Sequence, residues 1–184
     1  MIKLIIQTLY LFLPALLANM TPVLVKNILK PLAKPVDFGR TFRGKRILGD
    51  HKTFRGLICG IIAGVLITGL QKVLFVYAPF EWLKWLSIID YEQINFVLLG
   101  FLLGFGALFG DMVKSFFKRQ FNILPGKPFI PFDQIDFLVG AILFLSIIYI
   151  PSWQMIIILL VLGMLLHFLT NIIGYLLKIN KKWI

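Results

Sequence analysis

Thiols and imidazoles are almost missing from this sequence. Cys59 is the only cysteine, so no internal disulfide can form, and the two histidines, His51 and His167, lie far apart, which excludes a Cys/His zinc site. Any metal here should be bound by oxygen. Acids are also scarce: eight Asp and Glu stand against nineteen Lys and Arg, a formal net charge of +11. There is no Gly-x-x-x-x-Gly-Lys-Ser/Thr phosphate loop, no internal repeat and no low-complexity linker. No small-x-small cleavage site interrupts the apolar start, so the N-terminal run reads as a retained helix. The expectation is one domain, residues 1–184.

Apolar residues are what the sequence has in excess, at 59% of the chain, and the mean hydropathy is +0.91. A soluble domain needs a wettable surface, so most of this chain must be solvated by lipid. A hydrocarbon core about 30 Å thick takes roughly 20 helical residues. Five runs approach that length, near Ile2 to Val25, Leu57 to Tyr77, Ile94 to Val113, Phe137 to Pro151 and Trp153 to Leu177. The expected fold is an all-α integral membrane protein of about five transmembrane helices, with two cytoplasmic loops forming the polar site. The fourth and fifth runs share Ile150-Pro151-Ser152 and should form a tight hairpin. Gly60 and Gly64 in one run, and Gly100, Gly104, Gly106 and Gly110 in the next, offer small faces for close helix packing or simply reflect the tolerance of lipid-phase helices for glycine.

Charge bias orients the chain. Lys26 to Arg55 holds Lys26, Lys30, Lys34, Arg40, Arg43, Lys45, Arg46, Lys52 and Arg55, which the positive-inside rule places in the cytoplasm. Ala78 to Gln93 has Lys84 as its one base, beside Glu81, Asp90 and Glu92, with Trp82 and Trp85 suited to an interface, and belongs outside. Lys114 to Asp136 and the tail, with Lys178, Lys181 and Lys182, return to the cytoplasm. Basic loops in such a protein rest on anionic headgroups, and nucleic acid is not the expected partner. The expected location is the plasma membrane, multi-pass, with the polar site facing the cytoplasm.

Five acids fall in or beside the two cytoplasmic loops: Asp37, Asp50, Asp111, Asp133 and Asp136. Asp111 follows an apolar run at the end of a span, where an ionisable group is costly and usually functional. Helical spacing puts Ser115, Lys118 and Arg119 on its face, although an interfacial salt bridge would produce the same stripe. Asp133 and Asp136, three apart before Phe137, share one face of a helix's first turn. Capping accounts for one carboxylate; the second, facing the same way, suggests a divalent cation, and Mg²⁺ suits hard oxygen ligands. Pro125-Gly126-Lys127-Pro128 and Pro131 break the helix before them. In the first loop, glycines let backbone approach phosphate while Lys and Arg neutralise it. His51 is a candidate phosphate contact. His167 reads as a helix-packing hydrogen bonder, and Asn19, Pro22 and Asn27 as headgroup contacts or interhelical polar groups.

These residues resemble a known family. Pro22-Val23-Leu24-Val25-Lys26, Pro35-Val36-Asp37-Phe38-Gly39-Arg40-Thr41-Phe42 and Leu48-Gly49-Asp50-His51-Lys52-Thr53-Phe54-Arg55-Gly56 are similar to segments of the CDP-archaeol synthases and their bacterial relatives. So are Gly110-Asp111, Lys118-Arg119, Pro125-Gly126 and Asp133-Gln134-Ile135-Asp136, which more distantly resemble the signature of CDP-diacylglycerol synthases. Archaeal members often have an acidic residue before the Gly-Arg of the first loop, whereas here Arg43 precedes Gly44-Lys45, a departure that bears on the lipid substrate.

The resemblance implies transfer of CMP from CTP to a lipid phosphate with release of pyrophosphate, for phospholipid synthesis. The lipid phosphate is the nucleophile, so the protein supplies positioning and charge. Asp111, Asp133 and Asp136 would hold one or two Mg²⁺ ions, and Lys118 and Arg119 would clamp phosphate. Asp50, Lys52 and Arg55 would face CTP, while Asp37, Gly39 and Arg40 would order the loop or touch the lipid phosphate. The lipid is archaeol-type by resemblance. The alternatives are an ester lipid phosphate, as in CDP-diacylglycerol synthases; a small transporter coupled through Asp111; and a scaffold without activity anchored by its basic loop.

Overall fold

A computed structural model describes residues 1–77, 81–124 and 127–176, apart from the side chains of 81–82 and 166–176. The Pro125-Gly126 step, the His167 side chain and the basic tail therefore lie outside the described residues. Helices dominate: α1 (Ile2–Leu24), α2 (Phe54–Tyr77), α3 (Glu81–Leu86), α4 (Phe96–Gln120), α5 (Phe132–Leu145) and α6 (Trp153–Leu176). One short hairpin, β1 (Thr41–Phe42) and β2 (Lys45–Arg46), interrupts the first long loop. The all-α membrane architecture is as expected. Helices α1, α2 and α4 are each long and apolar enough to cross a membrane.

Two boundaries differ from the sequence reading in ways that shape the site. α4 does not stop near Val113 but runs to Gln120, so that its 25 residues span about 38 Å at 1.5 Å per residue. That exceeds a hydrocarbon core of roughly 30 Å, and the surplus turns carry Lys114, Lys118 and Arg119 on rigid helix. α5 begins at Phe132, five residues earlier than expected, and has 14 residues. Asp133 thus lies in its first turn, whereas Asp136 lies in its second.

α4 is the central helix, packed on α5, α2 and α1. Glycine permits both of its closest contacts. A Cβ on Gly64 of α2 would come within 2.7 Å of the Gly100 carbonyl oxygen and 3.0 Å of the Gly104 Cα. One on Gly110 would come within 3.0 Å of the Asp136 carbonyl carbon. The close-packing reading of these glycines is therefore the one the structure shows, and it presses the first turns of α5 against α4 at Asp111. The apolar core gathers Leu11, Phe12 and Ala15 of α1 with Leu99, Leu103 and Ala107 of α4 and Leu138, Ala141 and Leu145 of α5.

At the opposite end, polar groups inside the bundle are paired. Tyr91 Oη donates to Gln71 Oε1 at 3.0 Å, and Gln71 Nε2 donates to the Tyr10 carbonyl at 2.6 Å. Asn95 caps α4 by accepting from the Val97 and Leu98 amides at 3.0 and 3.2 Å. Such pairing is needed where lipid offers no hydrogen bonds.

Candidate active site

The first loop is built around a buried carboxylate. Asp37 accepts from the amides of Gly39 (3.0 Å), Leu48 (2.9 Å) and Gly49 (3.1 Å) and from Arg46 Nη2 (3.1 Å). Burial alone would raise its pKa, but these four donors outweigh it and hold the carboxyl at about 2. Arg43 and Gly44 turn the hairpin with φ of 53° and 75°, the left-handed pair that a two-residue hairpin loop requires. The hairpin is stapled to the end of α4, where Lys45 Nζ donates to the Gln120 carbonyl at 2.5 Å. A lysine there also complements the negative end of the helix dipole.

This places the first-loop candidates in two groups. Asp50, His51 and Lys52 reach the polar site, with Asp50 largely exposed and paired with Arg46 at 2.8 Å. Asp37 organises the loop instead, which is one of the two roles expected of it. Gly39 and Arg40 are exposed beside it and line neither of the pockets described below. Arg55, expected to face CTP, lines neither pocket: α2 starts at Phe54, and Arg55 is buried with Nη1 donating to the Ile28 carbonyl at 2.9 Å. It ties the start of α2 to the end of the α1 connection.

The second group of candidates converges. Asp111 from α4 and Asp133 and Asp136 from α5 surround one ammonium, that of Lys114, whose Nζ lies 3.1 Å from Asp111 Oδ1, 3.3 Å from Asp133 Oδ1 and 2.8 Å from Asp136 Oδ2. Lys52 pairs with the other oxygen of Asp111. Lys118 Nζ donates to both Asp133 oxygens, at 3.1 and 3.2 Å, and to the Lys127 carbonyl at 2.6 Å. Asp133 also accepts from the Phe129 amide at 2.6 Å, so the helix-entry role expected of one of these acids falls to Asp133.

The three carboxylates expected to hold a metal stand together, with an ammonium between them. Among the described residues, no three His, Cys, Asp or Glu side chains are placed as they stand so that they could hold a metal ion. The carboxylates stand around an ammonium at nitrogen-to-oxygen distances, about 1 Å longer than the roughly 2.1 Å of Mg²⁺–O bonds. The donor set nevertheless fits a hard cation. Asp136 Oδ2 is buried and, although close to Lys114, receives no hydrogen bond of acceptable geometry among the described residues.

Beside the carboxylates opens a cavity of about 300 Å³, lined by Arg46, Leu48, Gly49, Asp50, His51, Lys52, Lys114, Ser115, Lys118 and Arg119. Five of these ten residues are Lys or Arg, against one acid, Asp50, so the walls favour a polyanion. Arg119 has a buried Nε with no hydrogen-bond partner among the described residues, which suits a group awaiting an anion. A smaller pocket of about 40 Å³ adjoins it, sharing His51 and Lys52 and adding Pro22, Gly56, Leu108 and Asp111. Sequence reasoning passed over Lys114 and Arg46. Lys114 was within reach, since position i+3 from Asp111 shares its face as fully as Ser115 at i+4.

A family model described as CarS-like, CDP-archaeol synthase, matches residues 1–184. A CDP-archaeol synthase of Methanococcus maripaludis (strain S2) is 37% identical over 184 residues, covering 100% of this chain and 98% of the relative. One from Pyrococcus furiosus is 36% identical over 181 residues, covering 97% and 95%. One from Archaeoglobus fulgidus is 43% identical over 157 residues, covering 84% and 81%. A solved structure of an intramembrane enzyme for archaeal membrane lipid biosynthesis superposes with a TM-score of 0.67 at 32% identity, covering 89% of this chain and 92% of the other. With a match along its whole length and a shared intramembrane fold, this chain belongs to the CDP-archaeol synthase family.

Proposed function

We propose that the protein transfers CMP from CTP to an archaeol-type lipid phosphate at the site between α4, α5 and the first loop. The observation that carries this reading is the junction of three carboxylates, Asp111, Asp133 and Asp136, with the basic cavity beside them. An oxygen of the lipid phosphate attacks the α-phosphorus of CTP, the bond to the bridging oxygen of the β-phosphate breaks, and pyrophosphate leaves. No protein nucleophile is required, and none of the cavity residues is one poised by a base.

The residues have separable tasks. Arg46, Lys52, Lys118 and Arg119 bind and orient the triphosphate, with Arg119 the guanidinium not already committed to a carboxylate. The smaller pocket by Pro22 and Gly56 opens toward α1 and α2, where a lipid headgroup arrives with its tails still in the bilayer. Asp111, Asp133 and Asp136 would hold Mg²⁺. When bound, that ion neutralises phosphate charge on the attacking and leaving oxygens. The site faces the cytoplasm, where CTP is made, and the chain resides in the plasma membrane.

The test is purified protein in detergent supplied with labelled CTP, Mg²⁺ and a panel of lipid phosphates. Formation of a CMP-lipid from the ether-linked substrate, dependent on divalent cation, is expected. Preference for an ester-linked phosphate would reassign the substrate, and absence of any CMP-lipid would refute the activity.

A further inference from the structure

Lys114 occupies the point on which all three site carboxylates converge. Its situation differs from that of its neighbours. Lys118 donates three hydrogen bonds, to both Asp133 oxygens and the Lys127 carbonyl, so all three of its protons are engaged. Lys52 donates to Asp111. Lys114 is shared among Asp111, Asp133 and Asp136, and the buried Asp136 oxygen closest to it receives no hydrogen bond of acceptable geometry among the described residues. The ammonium is ringed by the three carboxylates, and Lys114 lines the 300 Å³ cavity.

Charge accounting gives the position its meaning. Three carboxylates are matched by three ammonium groups, Lys52, Lys114 and Lys118, so the cluster is neutral as it stands. A divalent cation cannot enter beside the Lys114 ammonium, because like charges about 3 Å apart in a partly desolvated site repel strongly. Lys114 must leave, and the space open to it is the cavity. That cavity already carries Arg119, which has no carboxylate partner among the described residues and a buried Nε without a hydrogen bond, so a further cation is unwelcome there until an anion arrives.

We propose that Lys114 is the resident counter-cation of the carboxylate site, and that it moves into the cavity onto a nucleotide phosphate when a divalent cation takes its place, so that metal loads only with nucleotide. The inference rests on the carboxylates being the metal site, as proposed above. The exchange keeps the carboxylates charged and assembled in the empty enzyme, and it delivers a cation to the triphosphate in the same movement. Lys114 is a positioning residue in the first state and a substrate contact in the second.

The experiment is a Mn²⁺ titration of the full-length protein in detergent by electron paramagnetic resonance, with and without CTP, in the absence of lipid substrate, compared at matched free Mn²⁺. Wild type should bind Mn²⁺ weakly alone and about ten-fold more tightly or better with CTP. Lys114→Met should bind Mn²⁺ without nucleotide about ten-fold more tightly than wild type and gain little from CTP. Lys114→Arg, which retains the cation, should keep the nucleotide dependence. If nucleotide-free Lys114→Met binds Mn²⁺ no better than wild type while CTP-loaded wild type binds it, the exchange is overturned and the metal site stands. If CTP-loaded wild type binds no Mn²⁺, the metal site itself fails and the exchange with it. Should Lys114→Met not fold, Lys114→Gln replaces it, and equal Mn²⁺ affinity of wild type with and without CTP overturns the proposal unaided.

Discussion

Lys52, in the loop before α2, forms an ion pair with Asp111 of α4, 59 residues further along the chain. The pair ties the first loop to α4; Lys52 lines both pockets and Asp111 the smaller one. The loop that contributes Lys52 is itself held by Asp37, and Asp111 is held beside α5 by the absence of a side chain at Gly110. Each of these supports can be tested.

Asp111→Asn and Asp136→Asn should each reduce CMP transfer by at least about 100-fold while leaving the protein inserted and monodisperse. Asn keeps the volume and one acceptor but removes the charge, and neither residue caps a helix, so no capping role would be disturbed. Initial rates at limiting Mg²⁺ are the measurement. Near-normal rates in both variants would make these acids structural.

Gly110→Ala places a methyl group within 3.0 Å of the Asp136 carbonyl carbon. Overpacking of this kind costs roughly 1–3 kcal/mol. The thermal midpoint in detergent should fall and CMP transfer should fall with it, because α5 must shift and carry Asp133 and Asp136 away from Asp111. An unchanged midpoint would mean that α4 and α5 have slack at this level.

Asp37 predicts an acid limit. Its carboxyl is held at about 2 in the folded loop, against 3.8 when unfolded. A group with a depressed folded pKa adds stability that is complete above about pH 4 and is lost as pH falls through about 2; here it amounts to roughly 2 kcal/mol. Proteolysis of the first loop should rise over that interval in wild type. In Asp37→Asn the loop should already be cleaved faster at neutral pH, with no step between pH 4 and 2.

The orientation is open to labelling from outside intact cells with an impermeant thiol reagent in a Cys59→Ser background. A cysteine replacing Lys84 should react, and one replacing the exposed Arg40 should react only after permeabilisation. The reverse pattern would put the site on the outer face, away from CTP.

Much of the fold follows from composition. Runs of apolar residues near 20 long must become helices in lipid, and Asp111 stood out because a charge after Phe96 to Gly110 has a high cost unless it is used. Asp133 and Asp136 showed one face by their spacing. Less was visible in the first loop, where Asp37, Asp50, Lys52 and Arg55 look alike as charged residues among glycines, yet only Asp50 and Lys52 reach the cavity. Arg55 turned away because α2 begins one residue before it, a boundary set by the loop's packing rather than by hydropathy.

The sequence by itself determined a helical membrane protein, a basic first loop and a set of acids beside it, because lipid solvation and charge bias act on local runs of residues. Only the tertiary structure decided that Lys114 stands among the three carboxylates. That position depends on Gly110 admitting the backbone of Asp136, on α4 continuing as rigid helix to Gln120, and on α5 starting at Phe132. These are distances between separate helices, which periodicity along one helix does not encode.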